Sequence, residues 1–221
     1  MYWPLMEETI TLKDRLKMAA FILTSSRLTN GPKVRQLEEK WSEWLGVKHS
    51  LYVSSGSTAN TLLVSSIKEH YGLKDGDKVL VPACTWVTNI APVIQANLEP
   101  IFCDINLDNY SFDEEELKYI AEQHPDIKAV FITHLIGLSS DVEKVKEIFP
   151  NALIMEDVCE SHGVEGPNGK RGRDSVGSTF SFYFGHHITT IEGGMVCTNN
   201  SDLYQLMRMK RSHGMAREAS P

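Results

Sequence analysis

Short apolar runs alternate with helical patterns through most of this chain, and that alternation leaves few folds open. Strands are expected at Ser50–Val53, Lys78–Val81, Glu99–Asp104, Ile127–Thr133 and Ala152–Glu156. Helical periodicity covers residues 57–70, 86–96, 113–123 and 140–149 between them. Strands separated by helices build βαβ units, which stack into a mostly parallel sheet with helices on both faces. Two more strands, Gly177–Tyr183 and Gly194–Thr198, and a helix over 201–212 complete the pattern. Upstream, residues 9–25 read as an amphipathic helix with Leu12, Leu16, Ala19 and Ile22 at three- and four-residue steps. A second helix spans 32–45, with Pro32 in its first turn, Val34, Leu37, Trp41 and Leu45 on one face, and Gly46 as its stop. The fold class is α/β.

Charge and cysteine usage narrow the function. The net charge of −7 over 221 residues gives no electrostatic reason to expect nucleic acid or an anionic membrane as partner. No apolar run approaches the ~20 residues of a membrane helix. Met1–Glu8 lacks the basic and apolar regions of a signal peptide. Cys84, Cys103, Cys159 and Cys197 are scattered with no C-x-x-C pair, so there is no local zinc or iron–sulfur signature. Reduced thiols and a cytoplasmic location are expected. The densest basic run before the C-terminus, Lys170-Arg171-Gly172-Arg173, reads as a solvated loop or a ligand site.

Three segments at strand ends carry possible chemistry. Val53-Ser54-Ser55-Gly56-Ser57-Thr58-Ala59-Asn60 leaves a strand and opens a helix. Gly56, Ser57 and Thr58 there can cradle a phosphate on free N–H groups, or simply form a Ser-capped helix start. Pro82-Ala83-Cys84-Thr85-Trp86-Val87-Thr88-Asn89 offers Trp86 as a stacking surface for a flat ring, or as a core tryptophan. Met155-Glu156-Asp157-Val158-Cys159-Glu160-Ser161-His162-Gly163 sits where ligands gather in open α/β sheets. Asp157 can pair with a protonated ring nitrogen and Glu160 can reach a ring substituent. A metal is the competing use of Glu156, Asp157, Glu160 and His162.

The fourth segment is defined by a missing residue. Ser181-Phe182-Tyr183-Phe184-Gly185-His186-His187 runs on through Ile188-Thr189-Thr190-Ile191 to Glu192-Gly193-Gly194. It has the shape of a pyridoxal-phosphate lysine loop, with Ser181 placed to meet a phosphate. Yet no lysine lies between Lys170 and Lys210. An imidazole at His186 can move protons but cannot form the covalent link that a lysine makes with the cofactor aldehyde. Adjacent residues in an extended segment point opposite ways, so only one of His186 and His187 is expected to face a ligand.

In order and spacing these four motifs resemble the DegT/DnrJ/EryC1/StrS family of sugar aminotransferases, over nearly the whole chain. The resemblance implies the large domain of the aspartate aminotransferase type (fold type I): an N-terminal helical segment over 1–30 and a cofactor-binding domain over 31–221. It also implies that the C-terminal small domain of the family is absent here, that the chain is a truncated form, and that its own turnover is weak or absent. By resemblance, Gly56, Ser57, Thr58 and Ser181 bind the cofactor phosphate, Trp86 stacks on the ring, Asp157 pairs with the ring nitrogen, and Glu160 stands near the phenolic oxygen. His186 in the lysine position is similar to the subgroup that dehydrates nucleotide-linked 4-keto-6-deoxyhexoses at C3, with GDP-4-keto-6-deoxymannose favoured because the cysteines hold no cluster motif. The implied cofactor is pyridoxamine phosphate or pyridoxal phosphate, the amino donor glutamate, the assembly a homodimer and the setting deoxysugar and O-antigen synthesis. Amino transfer and a non-catalytic binding role are the alternatives.

Overall fold

Strand and helix do alternate in the structure, a computed structural model that describes residues 7–215. The first six residues of the Met1–Glu8 stretch lie outside the described residues. Helices α1 (Leu12–Thr24) and α2 (Pro32–Leu45) come first. Next come β1 (His49–Val53), α3 (Gly56–Tyr71), β2 (Lys78–Pro82), α4 (Ala91–Gln95), β3 (Glu99–Cys103), α5 (Glu114–Gln123) and β4 (Ala129–Thr133). They are followed by α6 (Val142–Ile148) and β5 (Leu153–Asp157). A small hairpin, β6 (Glu165–Gly166) with β7 (Gly169–Lys170), leads to β8 (Gly177–Ser181), β9 (Gly194–Thr198) and α7 (Ser201–Arg211).

Seven strands make one sheet in the order β1-β9-β8-β5-β4-β2-β3. The strands from β3 to β8 run parallel, and β9 is antiparallel to both β8 and β1. Both faces are covered, which is why the central strands are continuous apolar runs. Val79, Val81, Ala129, Phe131 and Met155 pack on α3, α4 and α7. Their neighbours Leu80, Val130, Ile132 and Ile154 pack on α5 and α6. The two-residue strand period thus assigns each side chain to one of two cores. Trp41 and Leu45 of α2 close a third cluster over Phe180, Phe182 and Met195.

Two expected helices differ from their sequence reading. The stretch 86–96 is broken into a 3₁₀ turn, Val87–Asn89, and α4, because Pro92 has no N–H to continue the hydrogen-bond ladder. The face expected on α1 has no cover among the described residues, with Leu12, Leu16 and Ile22 at 71, 63 and 61% exposure. No helix among the described residues is long and apolar enough to cross a membrane. The basic run takes neither expected form. Arg171 is buried and donates to both Glu143 oxygens at 2.8 Å and to Ser139 Oγ, while Lys170 lies over the Trp44 ring. All four cysteines are free, and burial pushes the Cys103 and Cys197 thiols up to about 12.

A buried carboxylate ties α2 to the sheet. Glu38 Oε1 accepts from the Tyr52 N–H at 2.9 Å and from Arg211 Nη1 at 3.1 Å, while Oε2 accepts from Arg35. Removing it strands the largely buried Arg211 guanidinium without its partner. Glu38→Ala is therefore expected to destabilise the fold by about 3–5 kcal/mol in urea unfolding. A loss below ~1 kcal/mol would show that water replaces the carboxylate.

Candidate active site

A cavity of about 960 Å³ opens at the C-terminal ends of the parallel strands. Its walls come from the residues after β1, β2, β5 and β8, the edge where α/β sheets bind ligands. Gly56, Ser57, Trp86, Asp157, Glu160, Ser181 and His186 all line it. Thr58 does not. It faces a second cavity beside α2 and α7, its N–H is taken by the Ser55 hydroxyl, and its own hydroxyl accepts from the Ser55 N–H. The helix start is both a cap and a cradle: Ser55 and Thr58 form the capping box, and Gly56 and Ser57 face the cavity.

Close approach makes that cradle. A Cβ at residue 56 would stand 2.7 Å from Ser181 Cβ and 3.1 Å from both Ser181 Oγ and Cys159 Sγ. A Cβ at residue 194 would stand 2.3 Å from the Ser55 carbonyl oxygen. Only glycine at both positions lets the start of α3 settle against β8 and β9. The result places the Ser181 hydroxyl beside the positive end of a 16-residue helix, a combination that suits a phosphate.

Asp157, at the end of β5, is buried and held by three donors. Oδ2 accepts from Asn60 Nδ2 at 2.8 Å and Asn89 Nδ2 at 2.9 Å, and Oδ1 accepts from the Cys159 N–H at 2.9 Å. The two asparagines were overlooked as site residues. Each was nonetheless signalled by an amide at a core-facing position, and both are fully buried. Glu156 points to the other side of the strand, where His134 and the Gly172 N–H donate to it. Burial works to raise its carboxyl, but those bonds hold it below its ordinary value. Glu156 and Asp157 diverge, and among the described residues no three His, Cys, Asp or Glu groups converge as metal ligands.

Glu160 accepts weakly from the Ile136 N–H at 3.3 Å and keeps its carboxylate at the cavity. Trp86 is 61% exposed on the rim, which removes the core reading of that residue. A cradle for phosphate, a buried acceptor at its far end and an open indole fit a flat phosphorylated ring with a protonated nitrogen.

The loop after β8 is pinned at both ends. Phe182 bonds the Gly193 carbonyl and accepts from the Thr190 N–H, while the Tyr52 hydroxyl donates to the Glu192 carbonyl at 3.0 Å. The segment around residues 184–188 is a turn rather than an extended strand. The alternation argument therefore fails, and His187 lines the cavity together with His186. Burial lowers the His186 pKa, against the pull of Glu160 and Asp157. His162 lies beneath the two, among Trp41, Phe180 and Phe182. Burial first, then His187 and His186, take it down to about 3. No lysine lines this cavity among the described residues. Lys210 donates to the Ser65 carbonyl and faces the second cavity, and Lys170 is spent on Trp44.

Comparison with known proteins places these features. The profile of the DegT/DnrJ/EryC1/StrS aminotransferase family matches residues 10–221. A GDP-4-keto-6-deoxy-D-mannose 3-dehydratase from Yersinia pseudotuberculosis is 36% identical over 97% of this chain and 55% of its own length. The solved structure of the E. coli GDP-4-keto-6-deoxy-D-mannose-3-dehydratase with hydrated pyridoxal phosphate superposes with a TM-score of 0.91 at 31% identity, over 98% of this chain and 56% of that one. A structure of GDP-4-keto-6-deoxymannose-3-dehydratase with a trapped PLP–glutamate geminal diamine matches equally well. The chain spans about half the length of these relatives.

Two outcomes follow from the geometry. Gly56→Ala should push the start of α3 away from Ser181 and weaken pyridoxamine phosphate binding at least about tenfold by fluorescence titration. Unchanged affinity would place the phosphate elsewhere. His162 has a folded pKa near 3 against 6.5 unfolded, so its contribution is full above pH 6.5 and falls as pH drops. Between pH 7 and 5 it should cost about 2 kcal/mol of stability, a slope absent from His162→Phe in urea titrations.

Proposed function

This chain belongs to the DegT/DnrJ/EryC1/StrS aminotransferase family, and from that membership we propose that it serves C3 dehydration of a nucleotide-linked 4-keto-6-deoxyhexose, with GDP-4-keto-6-deoxymannose as substrate. The observation that carries the reading is an imidazole, His186, on the wall of a cavity that no lysine lines among the described residues. Amino transfer through a covalently tethered cofactor needs a lysine there. The likeness to two 3-dehydratases over nearly the whole chain points the same way.

The cofactor would be pyridoxamine phosphate, held by the Gly56 and Ser57 amides and the Ser181 hydroxyl. Trp86 would cover the ring, Asp157 would accept from its nitrogen, and Glu160 would meet the ring substituent. When bound, that group supplies an amine able to condense with the C4 ketone and a ring able to spread negative charge. His186 would be the group that accepts a proton beside the bound cofactor and donates one to the departing C3 hydroxyl. Neutral imidazole is the form that can accept, and burial keeps His186 in that form down to a pH below 6.5. Asp157 would orient the ring as an acceptor whose Oδ2 is already held by Asn60 and Asn89 and whose Oδ1 is held by the Cys159 N–H. Glutamate would restore the amine, as its presence beside PLP in the related structure suggests. The working unit would be a cytoplasmic homodimer.

The test is a single turnover. Chain loaded with stoichiometric pyridoxamine phosphate is mixed with a panel of nucleotide 4-keto-6-deoxyhexoses, and the sugar is weighed by mass spectrometry. The expected product has lost the C3 hydroxyl and kept its ketone. His186→Asn should slow this by about 100-fold or more, and the wild-type rate should fall with pH through a midpoint below 6.5. A product that gains an amine would instead establish amino transfer.

A further inference from the structure

His162 is half-buried beside the site, yet nothing in the proposed chemistry uses it. Both ring nitrogens are sealed from solvent and neither has a hydrogen-bond partner. A buried polar atom left unpaired is costly and calls for an explanation. Three sides of the ring are apolar: Trp41 from α2, with Phe180 of β8 and Phe182 just after it, stand 5.7, 5.8 and 5.9 Å away between ring centroids. The carbonyl of Ser181 lies beside the ring without completing a hydrogen bond. The remaining side is filled by the imidazoles of His187 at 5.5 Å and His186 at 6.3 Å, tilted by 41° and 44°. Asp157 at the end of β5 and Glu160 in the loop after it face His186, and that loop also carries His162. The Trp41 indole Nε1, itself buried without a partner, is the other nitrogen donor in this cage, and it lies towards Cys197.

We propose that His162 is a positioning residue whose imidazole pairs with His187, the nearer ring, and so turns His186 towards the reacting carbon. One nitrogen of a neutral imidazole is a donor and the other an acceptor, so a fixed neutral His162 can satisfy its partner in only one tautomer. Its environment supplies that fixity: burial of the ring nitrogens, and then the neighbouring His187 and His186, disfavour a positive charge on it. The His187 side chain is exposed and its loop is anchored at Phe182, Thr190 and Glu192, so a turn of that side chain closes the pair. The loop thereby gains a hold in its middle as well as at its ends. The role rests on the reading of His186 as the proton carrier, but the pairing itself needs neither cofactor nor substrate.

The test is ¹⁵N NMR of histidine side chains in the 221-residue chain, without cofactor. His162 should show one neutral tautomer with no protonation between pH 5 and 8, and His187 should show one dominant tautomer. His162→Phe, which fills the space without a nitrogen, should leave the backbone amide spectrum folded, let His187 relax to a mixture of tautomers and shift the His186 ring signals. His162→Gln, which restores a donor and an acceptor, should recover a single dominant tautomer at His187. Titration of His162 near pH 6.5 in the unaltered chain overturns the proposal without any variant. Unchanged His186 and His187 ring signals in folded His162→Phe also overturn it, and leave the dehydration reading intact.

Discussion

The carboxylate of Asp157 is the point on which the site is built. It sits at the end of β5, but its orientation is imposed by Asn60 in α3 and Asn89 in the 3₁₀ turn after β2. One buried acceptor thereby joins three crossover units that are distant in sequence. A buried carboxylate needs such donors, because leaving it unpaired would cost several kcal/mol. The break that Pro92 imposes on the helix expected at residues 86–96 leaves Asn89 in the tight turn from which it reaches Asp157. With Asp157 fixed at one end and the Gly56–Ser181 contact at the other, the cavity has two anchor points for a flat phosphorylated ring.

Around that frame the proton-carrying groups are set by burial. His162 is kept neutral by its aromatic cage. His186, partly buried and near Asp157 and Glu160, keeps a pKa below the ordinary histidine value because desolvation outweighs the two carboxylates. Cys159, beneath the cradle, is pushed well above a free thiol by burial and by Asp157, so it offers no competing thiolate. Within this cavity an imidazole is the group best suited to accept a proton at neutral pH.

Much of this was legible in the sequence. The strand–helix alternation, the parallel sheet and the cavity-lining positions Gly56, Ser57, Trp86, Asp157, Glu160, Ser181 and His186 follow from local pattern and motif order. What was not legible depends on tertiary distance. Thr58 reads like its neighbours Gly56 and Ser57, but its position three residues into the helix commits it to the capping box. Arg171 reads as part of a solvated or ligand-binding run, and only the fold brings Glu143 to it. His187 was expected to turn away because the segment was read as extended, and the turn over 184–188 reverses that. Asn60, Asn89 and His162 are single polar residues within motifs already noticed. The Asp157 carboxylate lies 97 and 68 positions from the two asparagines, and the His187 ring lies 25 positions from His162, beyond the reach of any local pattern.

The central claim is that an imidazole, with no amine anchor, faces the cofactor ring. Borohydride reduction of the chain after incubation with pyridoxal phosphate, read by intact-protein mass, tests it most directly. The account predicts reversible binding and an unchanged protein mass after reduction and dialysis. A stable, stoichiometric mass increase that maps to a lysine would contradict it.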